Sequence, residues 1–416
     1  MQILDARKGI VTPEVKAVAK AEGVPADFVR RKVAAGRIVV MGKGGHALGI
    51  GEGLRTKVNA NIGMSPDRAK PSEELAKLRA AVKAGADTVM DLSIAGDVDA
   101  ALAELVRRSP IPVGSVPAYS AVLAGKEKGR GIAELEAEDF IGAVERQMKL
   151  GVDFLTIHAA ITRRGVELAR RRTLKIVSRG GCFLGAWMVR NRKENPYFTE
   201  FGYLLEMAKE KDAVISLGDA LRPGCLADAG DRAQTLELVV QGKLVKEALR
   251  QGVQVICEGP GHMPLGKIGA NVRMQKRLCS GVPYYVLGPL VTDIAVGYDH
   301  IAAAIGGTVA AAEGADFLCV VTPSEHVALP DAEDVREGVI AARIAAHAAD
   351  IAKRMDGKRD LEMSKARWAL DWRKQFALAL DAGKAREYRR KRGGGSGACS
   401  MCGKYCAYKI GKGALG

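Results

Sequence analysis

The sequence predicts an α/β fold: a (β/α)8 TIM barrel with a small N-terminal domain, a C-terminal helical region and a cysteine-bearing arm. Three observations predict it. Short apolar runs recur along the chain, at Thr88–Leu92, Ile111–Val116, Phe154–His158, Lys175–Ser178, Ala213–Leu217, Val253–Cys257, Tyr284–Leu287 and Phe317–Val321. Unbroken apolarity suits parallel strands covered on both faces. Amphipathic helical stretches separate them, among them Asp97–Arg108, Glu136–Leu150, Asp231–Arg250 and Asp299–Ala312. Chemically capable residues gather where the runs end, and a barrel carries its active site at the C-terminal ends of its strands. A doubly wound open sheet is the alternative. The lack of a G-x-G-x-x-G after the first run weakens its dinucleotide-binding version.

In chain order, residues 1–55 form a small α unit. Thr12 caps a helix that starts at Pro13, and a second helix starts near Pro25-Ala26-Asp27. The pair has a helix-turn-helix outline, but packing explains it better than DNA binding. The glycine-rich stretch 42–53 separates it from the barrel, residues 56–330. Lys57–Gly63 alternates polar and apolar residues, as a strand or an extended lead-in would. Residues 72–85 read as a helix capped by Ser72. Residues 331–392 are C-terminal helices, in which Trp368 and Trp372 fall on one face and are expected to pack in a core. A basic linker, Arg386–Arg392, leads through Gly393-Gly394-Gly395-Ser396-Gly397 to a flexible arm, residues 393–416.

Composition narrows the function. Of the 416 residues, 48% are hydrophobic and 27% charged, as in an ordinary globular protein. No apolar run is long enough to span a membrane, and the N-terminal residues lack a basic-then-apolar export signal. Eight cysteines in so long a chain are not a disulfide framework, which points to a reducing cytoplasm. The net charge of +15 is dispersed, and only 5% of residues are aromatic. This argues against a nucleic-acid partner and for an anionic substrate such as a phosphate ester.

The tail carries Cys399-Ser400-Met401-Cys402-Gly403-Lys404-Tyr405-Cys406. A structural zinc site takes four ligands, yet no histidine follows His347 and the tail has no fourth cysteine. Three thiolates suit a [4Fe–4S] cluster with one iron open for a small molecule. Zinc with a ligand borrowed from elsewhere, and unliganded thiols, remain alternatives. Cys182, Cys225, Cys257, Cys279 and Cys319 read as buried small apolar residues.

The run ends supply the rest. The first carries Met90 and Asp91, the second leads to Tyr119, and the third ends at His158. The fourth gives Ser178-Arg179-Gly180-Gly181, a basic nest suited to a phosphate. Asp219-Ala220-Leu221-Arg222, Glu258-Gly259-Pro260-Gly261-His262, Tyr285 and Thr322-Pro323-Ser324-Glu325-His326 follow the later runs. His262 and His326 fall close enough around the rim to share an ion.

These stretches, with Gly297-Tyr298-Asp299-His300 and the cysteine tail, resemble the phosphomethylpyrimidine synthase (ThiC) family of thiamine biosynthesis, in its short form. The resemblance runs from about Asn59 to Ile410. It implies a barrel with a cluster arm, in a homodimer. It also implies a radical S-adenosylmethionine (SAM) enzyme served by an electron donor whose identity the sequence does not give. The cluster, held by Cys399, Cys402 and Cys406, would cleave SAM. The resulting radical would rearrange 5-aminoimidazole ribotide to 4-amino-5-hydroxymethyl-2-methylpyrimidine phosphate, releasing formate and carbon monoxide. The substrate contacts it implies are Asn61, Met90, Tyr119, His158, Ser178, Arg179, Gly180, Asp219, Ala220, Leu221, Arg222, Glu258 and Tyr285, with Asp219 and Glu258 as the catalytic carboxyl groups. His262 and His326 would hold zinc or a similar divalent ion.

The chain departs from the family pattern at Ala160 and Ala220, where glycine is usual, and at Val296, where proline is usual. Two added methyl groups beside ligand loops keep open the related 5-hydroxybenzimidazole synthase, which acts on the same ribotide.

Overall fold

The computed structural model describes residues 1–42, 47–354, 357–393 and 397–415. Parts of the glycine-rich stretch (43–46) and of the Gly-Ser tether (394–396) lie outside the described residues. The chain divides into two compact units, Met1–Ala349 and Asp350–Gly416.

The first unit is a closed barrel of eight parallel strands. They are β3 (Lys57–Ile62), β4 (Thr88–Asp91), β5 (Val113–Ser115), β6 (Phe154–Ile157), β7 (Val214–Leu217), β8 (Val255–Gly259), β9 (Tyr284–Leu287) and β10 (Phe317–Cys319), ordered β10-β3-β4-β5-β6-β7-β8-β9. Two more strands, β1 (Ile38–Met41) and β2 (Leu48–Gly51), form a separate antiparallel hairpin.

Seven of the expected runs became barrel strands; Lys175–Ser178 did not. Lys57–Ile62 takes the eighth place, pairing with β4 and β10. The physical reason is coverage. Leu174 and Val177, in and beside the failed run, are 47% and 39% exposed, whereas β3 is buried at every position but Asn61. Lys175–Ser178 instead joins the helix Arg163–Ala169 to the helix Arg179–Asn191.

Local signals set the crossover helices. Asp97 and Asp231 each accept a hydrogen bond from the backbone N–H three residues on, capping Val98–Arg108 and Arg232–Gln251. Left-handed Gly85 and Gly252 end the helices Pro71–Ala84 and Arg232–Gln251. Ser72 is not a cap: its helix starts one residue earlier, at Pro71. Inside the barrel the rings of Phe154 and Phe317 meet edge to face at 6.3 Å. Gly114 makes room for them, since a Cβ there would lie 2.2 Å from the Phe154 ring.

Residues 1–54 build a second small core, around Val15, Val18, Val29 and Ile38. Thr12 caps the helix Pro13–Glu22 through the Val15 N–H. This segment sits at the strand starts. The Gln254 amide exchanges two hydrogen bonds with the Val40 backbone, at 2.7 and 2.9 Å, and the buried Lys57 ammonium pairs with Glu22 at 3.0 Å. The opposite end of the barrel is left for the site.

In the second unit the residues expected as a basic linker are helical, the end of Ala382–Arg392. The Trp368/Trp372 face is also corrected. Lys358–Ala369 ends at left-handed Leu370, and Trp372 opens a new helix, Trp372–Leu378. Trp368 is 43% exposed and meets Tyr408 edge to face. Trp372 lies under the Arg389 guanidinium, 3.9 Å from its ring centre. Among the described residues no helix is long and apolar enough to cross a membrane.

Candidate active site

The C-terminal ends of the strands enclose a cavity of about 120 Å³. Asn61, Met90, Tyr119, His158, Asp219, Arg222, Glu258 and Tyr285 all line it. They come from seven of the eight strands or the turns after them. A larger space of about 540 Å³ adjoins it, sharing Asn61, Leu92 and Glu325 and reaching Lys77, Arg68 and Arg179. One wall is therefore cationic, and the Arg179 guanidinium also lies 5.2 Å from the Tyr119 ring centre.

The small cavity is lined by buried ionisable groups. Burial drives the Asp219 carboxyl up to about 8 against the pull of Arg222, with Glu258 adding to the rise. The Arg222 Nη1 donates to Asp219 Oδ1 at 3.1 Å. Burial, helped by Arg222, lowers His158 to about 3, so its imidazole is neutral. Three buried polar atoms at the cavity have no hydrogen-bond partner among the described residues: His158 Nδ1, Asp219 Oδ2 and the Tyr285 hydroxyl. Orphaned buried groups are costly, and a polar ligand would satisfy them.

Ser178 and Gly180 stand behind this wall rather than in it. Ser178 caps the helix Arg179–Asn191 through the Gly181 N–H, and its Oγ lies 3.2 Å from His158 Nε2. A Cβ at Gly180 would lie 2.4 Å from the His158 ring, so glycine lets the helix N-terminus close on the imidazole. Ala220 and Leu221 are fully buried and line neither cavity. The Ala220 methyl faces Gly181, where a second Cβ would approach it to 2.8 Å, and Leu221 packs over Gly165. Ala160 is likewise buried in the main core. The two added methyl groups therefore point into packing, not toward a ligand.

His262 and His326 meet on the rim, with ring centres 5.3 Å apart. His262 Nδ1 lies 2.8 Å from Asp293 Oδ1. His326 Nδ1 lies 3.1 Å from buried Asp299 Oδ2, within ion-pair reach but without hydrogen-bond alignment. Carboxylates on Nδ1 leave the Nε2 atoms for an ion. Among the described residues no group of three or more His, Cys, Asp or Glu side chains converges as a metal site.

In the second unit, the Cys402 and Met401 backbone N–H groups point at the Cys399 sulfur and lower its pKa. Cys402 is raised, by burial and then by neighbouring Cys399 and Cys406. Cys402 thus neighbours both Cys399 and Cys406, although the three sulfurs do not converge as a metal site among the described residues; Cys406 is buried and Cys402 exposed.

The profile of the radical SAM ThiC family matches residues 1–413. The chain is 54% identical to a phosphomethylpyrimidine synthase of Desulforudis audaxviator, over 98% of this chain and 97% of that one. It is 51% identical to the same-named protein of Methanopyrus kandleri, over 100% and 99%, and 52% identical to that of Moorella thermoacetica, over 98% and 97%. The chain belongs to the radical SAM ThiC family.

Membership in the radical SAM ThiC family implies a [4Fe–4S] cluster and SAM, and the cysteine loop fits the cluster. It fits by its donor chemistry: one short stretch carries three thiols, one already drawn toward thiolate by backbone donors. Several residues at the ThiC-family site escaped sequence reasoning. Cys319 lines the cavity and accepts a hydrogen bond from Asn61 Nδ2 at 3.0 Å. Of the cysteines expected to be buried, Cys257, Cys279 and Cys319 are, but Cys182 is exposed and Cys225 half-buried. Thr156 and Ser216 hold Glu258 from below. Their signal was available: each is a lone hydroxyl inside an otherwise apolar strand. Asp293 stands in the loop after β9 and Asp299 opens the helix Asp299–Ala312, and nothing local links them to histidines 31 and 27 positions away.

Proposed function

We propose that this protein acts as a phosphomethylpyrimidine synthase, converting 5-aminoimidazole ribotide to 4-amino-5-hydroxymethyl-2-methylpyrimidine phosphate. One observation carries the proposal: eight of the residues that would hold the ribotide converge on a single cavity, and three of them carry a buried polar atom without a hydrogen-bond partner among the described residues.

The ribotide's phosphate goes to the cationic side of the larger space, where the Arg179 guanidinium favours an anion. Arg222 holds the ribose side through the oxygen atoms it can reach. Asp219, neutral below about 8, donates or accepts a proton at Oδ2. His158 is neutral, so it orients ligand atoms without adding charge. Tyr285, stacked on Phe317 at 4.2 Å, offers its hydroxyl from a fixed ring. The narrow cavity excludes bulk water, which protects reactive intermediates.

Cys399, Cys402 and Cys406 would hold the cluster, which when bound supplies the one-electron reduction of SAM. His262 and His326 would hold zinc or a similar divalent ion, oriented by Asp293 and Asp299. We place the protein in the reducing cytoplasm, consistent with its eight free cysteines, and read it as a homodimer served by a separate electron donor. Ala160 and Ala220 are buried and line neither cavity, which supports the pyrimidine over the benzimidazole product. Mass analysis of anaerobic turnover with the ribotide, SAM and a reductant tests the reading. The pyrimidine phosphate is expected; 5-hydroxybenzimidazole would overturn it.

A further inference from the structure

Glu258 is held in an asymmetric way. Thr156 Oγ1 donates to Glu258 Oε1 at 2.7 Å, and Ser216 Oγ donates to the same oxygen at 2.8 Å. Thr156 and Ser216 are partners across β6 and β7, and Ser216 is in turn level with Ile256, two residues before Glu258. The hydroxyls therefore reach up from the barrel layer beneath the carboxylate. Both are spent on Oε1, and neither is given to Oε2. Gln241 Nε2 fixes the backbone there as well, donating to the Leu217 and Glu258 carbonyls at 3.1 and 3.2 Å. The Asp219 backbone N–H also reaches the carboxylate, which thus cannot turn freely, and Oε2 is the oxygen that neither hydroxyl occupies and that keeps lone-pair capacity for a ligand.

Position narrows the ligand group. Thr156, Glu258 and Tyr285 line only the small cavity between the strand ends, whereas Arg179 and Lys77 line the larger space beside it. A ribotide with its phosphate on the cationic side therefore sends its base toward Glu258. A carboxylate accepts and does not donate, so it selects an N–H on that base.

We infer that Thr156 and Ser216 orient Glu258 so that Oε2 reads the exocyclic amine of the substrate's imidazole, making the pair specificity-determining positioning residues. This rests on the ribotide reading above. Burial pushes the Glu258 carboxyl up and the two hydroxyls pull it back, so they also help keep it an acceptor. Acceptance of an N–H by a carboxylate is the strong kind of hydrogen bond, and a site built for a polar group rejects the analogue lacking it.

The test is calorimetric titration of the reconstituted full-length protein with two probes: 5-aminoimidazole ribotide, and imidazole ribotide, which lacks only the amine. The wild type is expected to prefer the amine by roughly tenfold or more. In a Thr156→Val/Ser216→Ala double variant the preference should fall toward one, with affinity for the amine-free probe within about twofold of wild type. Thr156→Ser, which keeps the hydroxyl, should retain the preference. If the double variant does not fold, the Thr156→Val and Ser216→Ala single variants carry the same comparison. An undiminished preference, equal weakening toward both probes, or a wild type blind to the amine overturns the inference. A wild type that binds neither ribotide overturns the ribotide reading itself.

Discussion

Asp219 shows how far a barrel interior can move a single side chain. Its carboxyl is 6% exposed, and one oxygen has no hydrogen-bond partner. Burial moves its pKa from 3.8 to about 8. The unfolded chain releases this proton near 3.8, while the folded chain keeps it to about 8. Stability from this group is therefore full below 3.8, is lost as pH rises toward 8, and stays lost above it. Asp219→Asn cannot ionise and keeps an acceptor for Arg222. Its urea midpoint should gain on wild type between pH 5 and pH 9, by on the order of a few kcal/mol at most. Equal gaps at the two pH values would count against a buried neutral Asp219.

At the scale of elements, a clamp at the base of the cysteine loop is the feature with most consequence. Trp372 Nε1 donates to the Gly397 carbonyl at 2.7 Å, and Arg389 Nη1 donates to the Ala398 carbonyl at 2.8 Å. The guanidinium also covers the Trp372 ring. The start of one helix and the last turn of another thus hold the residues just before Cys399. A cation–π contact is worth about 0.5–2 kcal/mol and each hydrogen bond about 1 kcal/mol. Arg389→Ala in the reconstituted protein should release iron to a chelator several-fold faster than wild type. Equal release rates would mean that the clamp does not serve the cluster. Sequence reading placed a flexible linker here because a run of Arg and Lys carries no apolar stripe. Helix formation instead rests on Asp381, which caps the helix through the Lys384 N–H, and on the aromatic partners of Arg386 and Arg389.

For the whole molecule, the division at Ala349 separates a barrel with its own large core from a short cysteine-bearing unit. A chain ending at Ala349 should fold, melt within a few degrees of the full chain's first transition and bind the ribotide, yet hold no iron. Calorimetry and iron analysis of that fragment check this; an insoluble product would show that the barrel depends on the second unit. The +15 charge belongs to this scale too, as a field that would favour the approach of anionic ligands.

The sequence by itself determined the alternation of apolar runs and amphipathic helices, the polar residues at the run ends and the three-thiol spacing. Those are local properties: periodicity, capping and loop chemistry are set by neighbours a few residues away. Tertiary structure decided what depends on distant pairing. Lys57–Ile62 rather than Lys175–Ser178 closed the barrel, because closure requires hydrogen-bonded partners on both edges and cover on both faces. The direction of the Ala220 methyl was illegible for the same reason, since the space it fills exists only where Gly181 of another crossover comes against it. So was the grip on Glu258, whose two hydroxyls lie 102 and 42 positions earlier in the chain and meet it only inside a closed barrel.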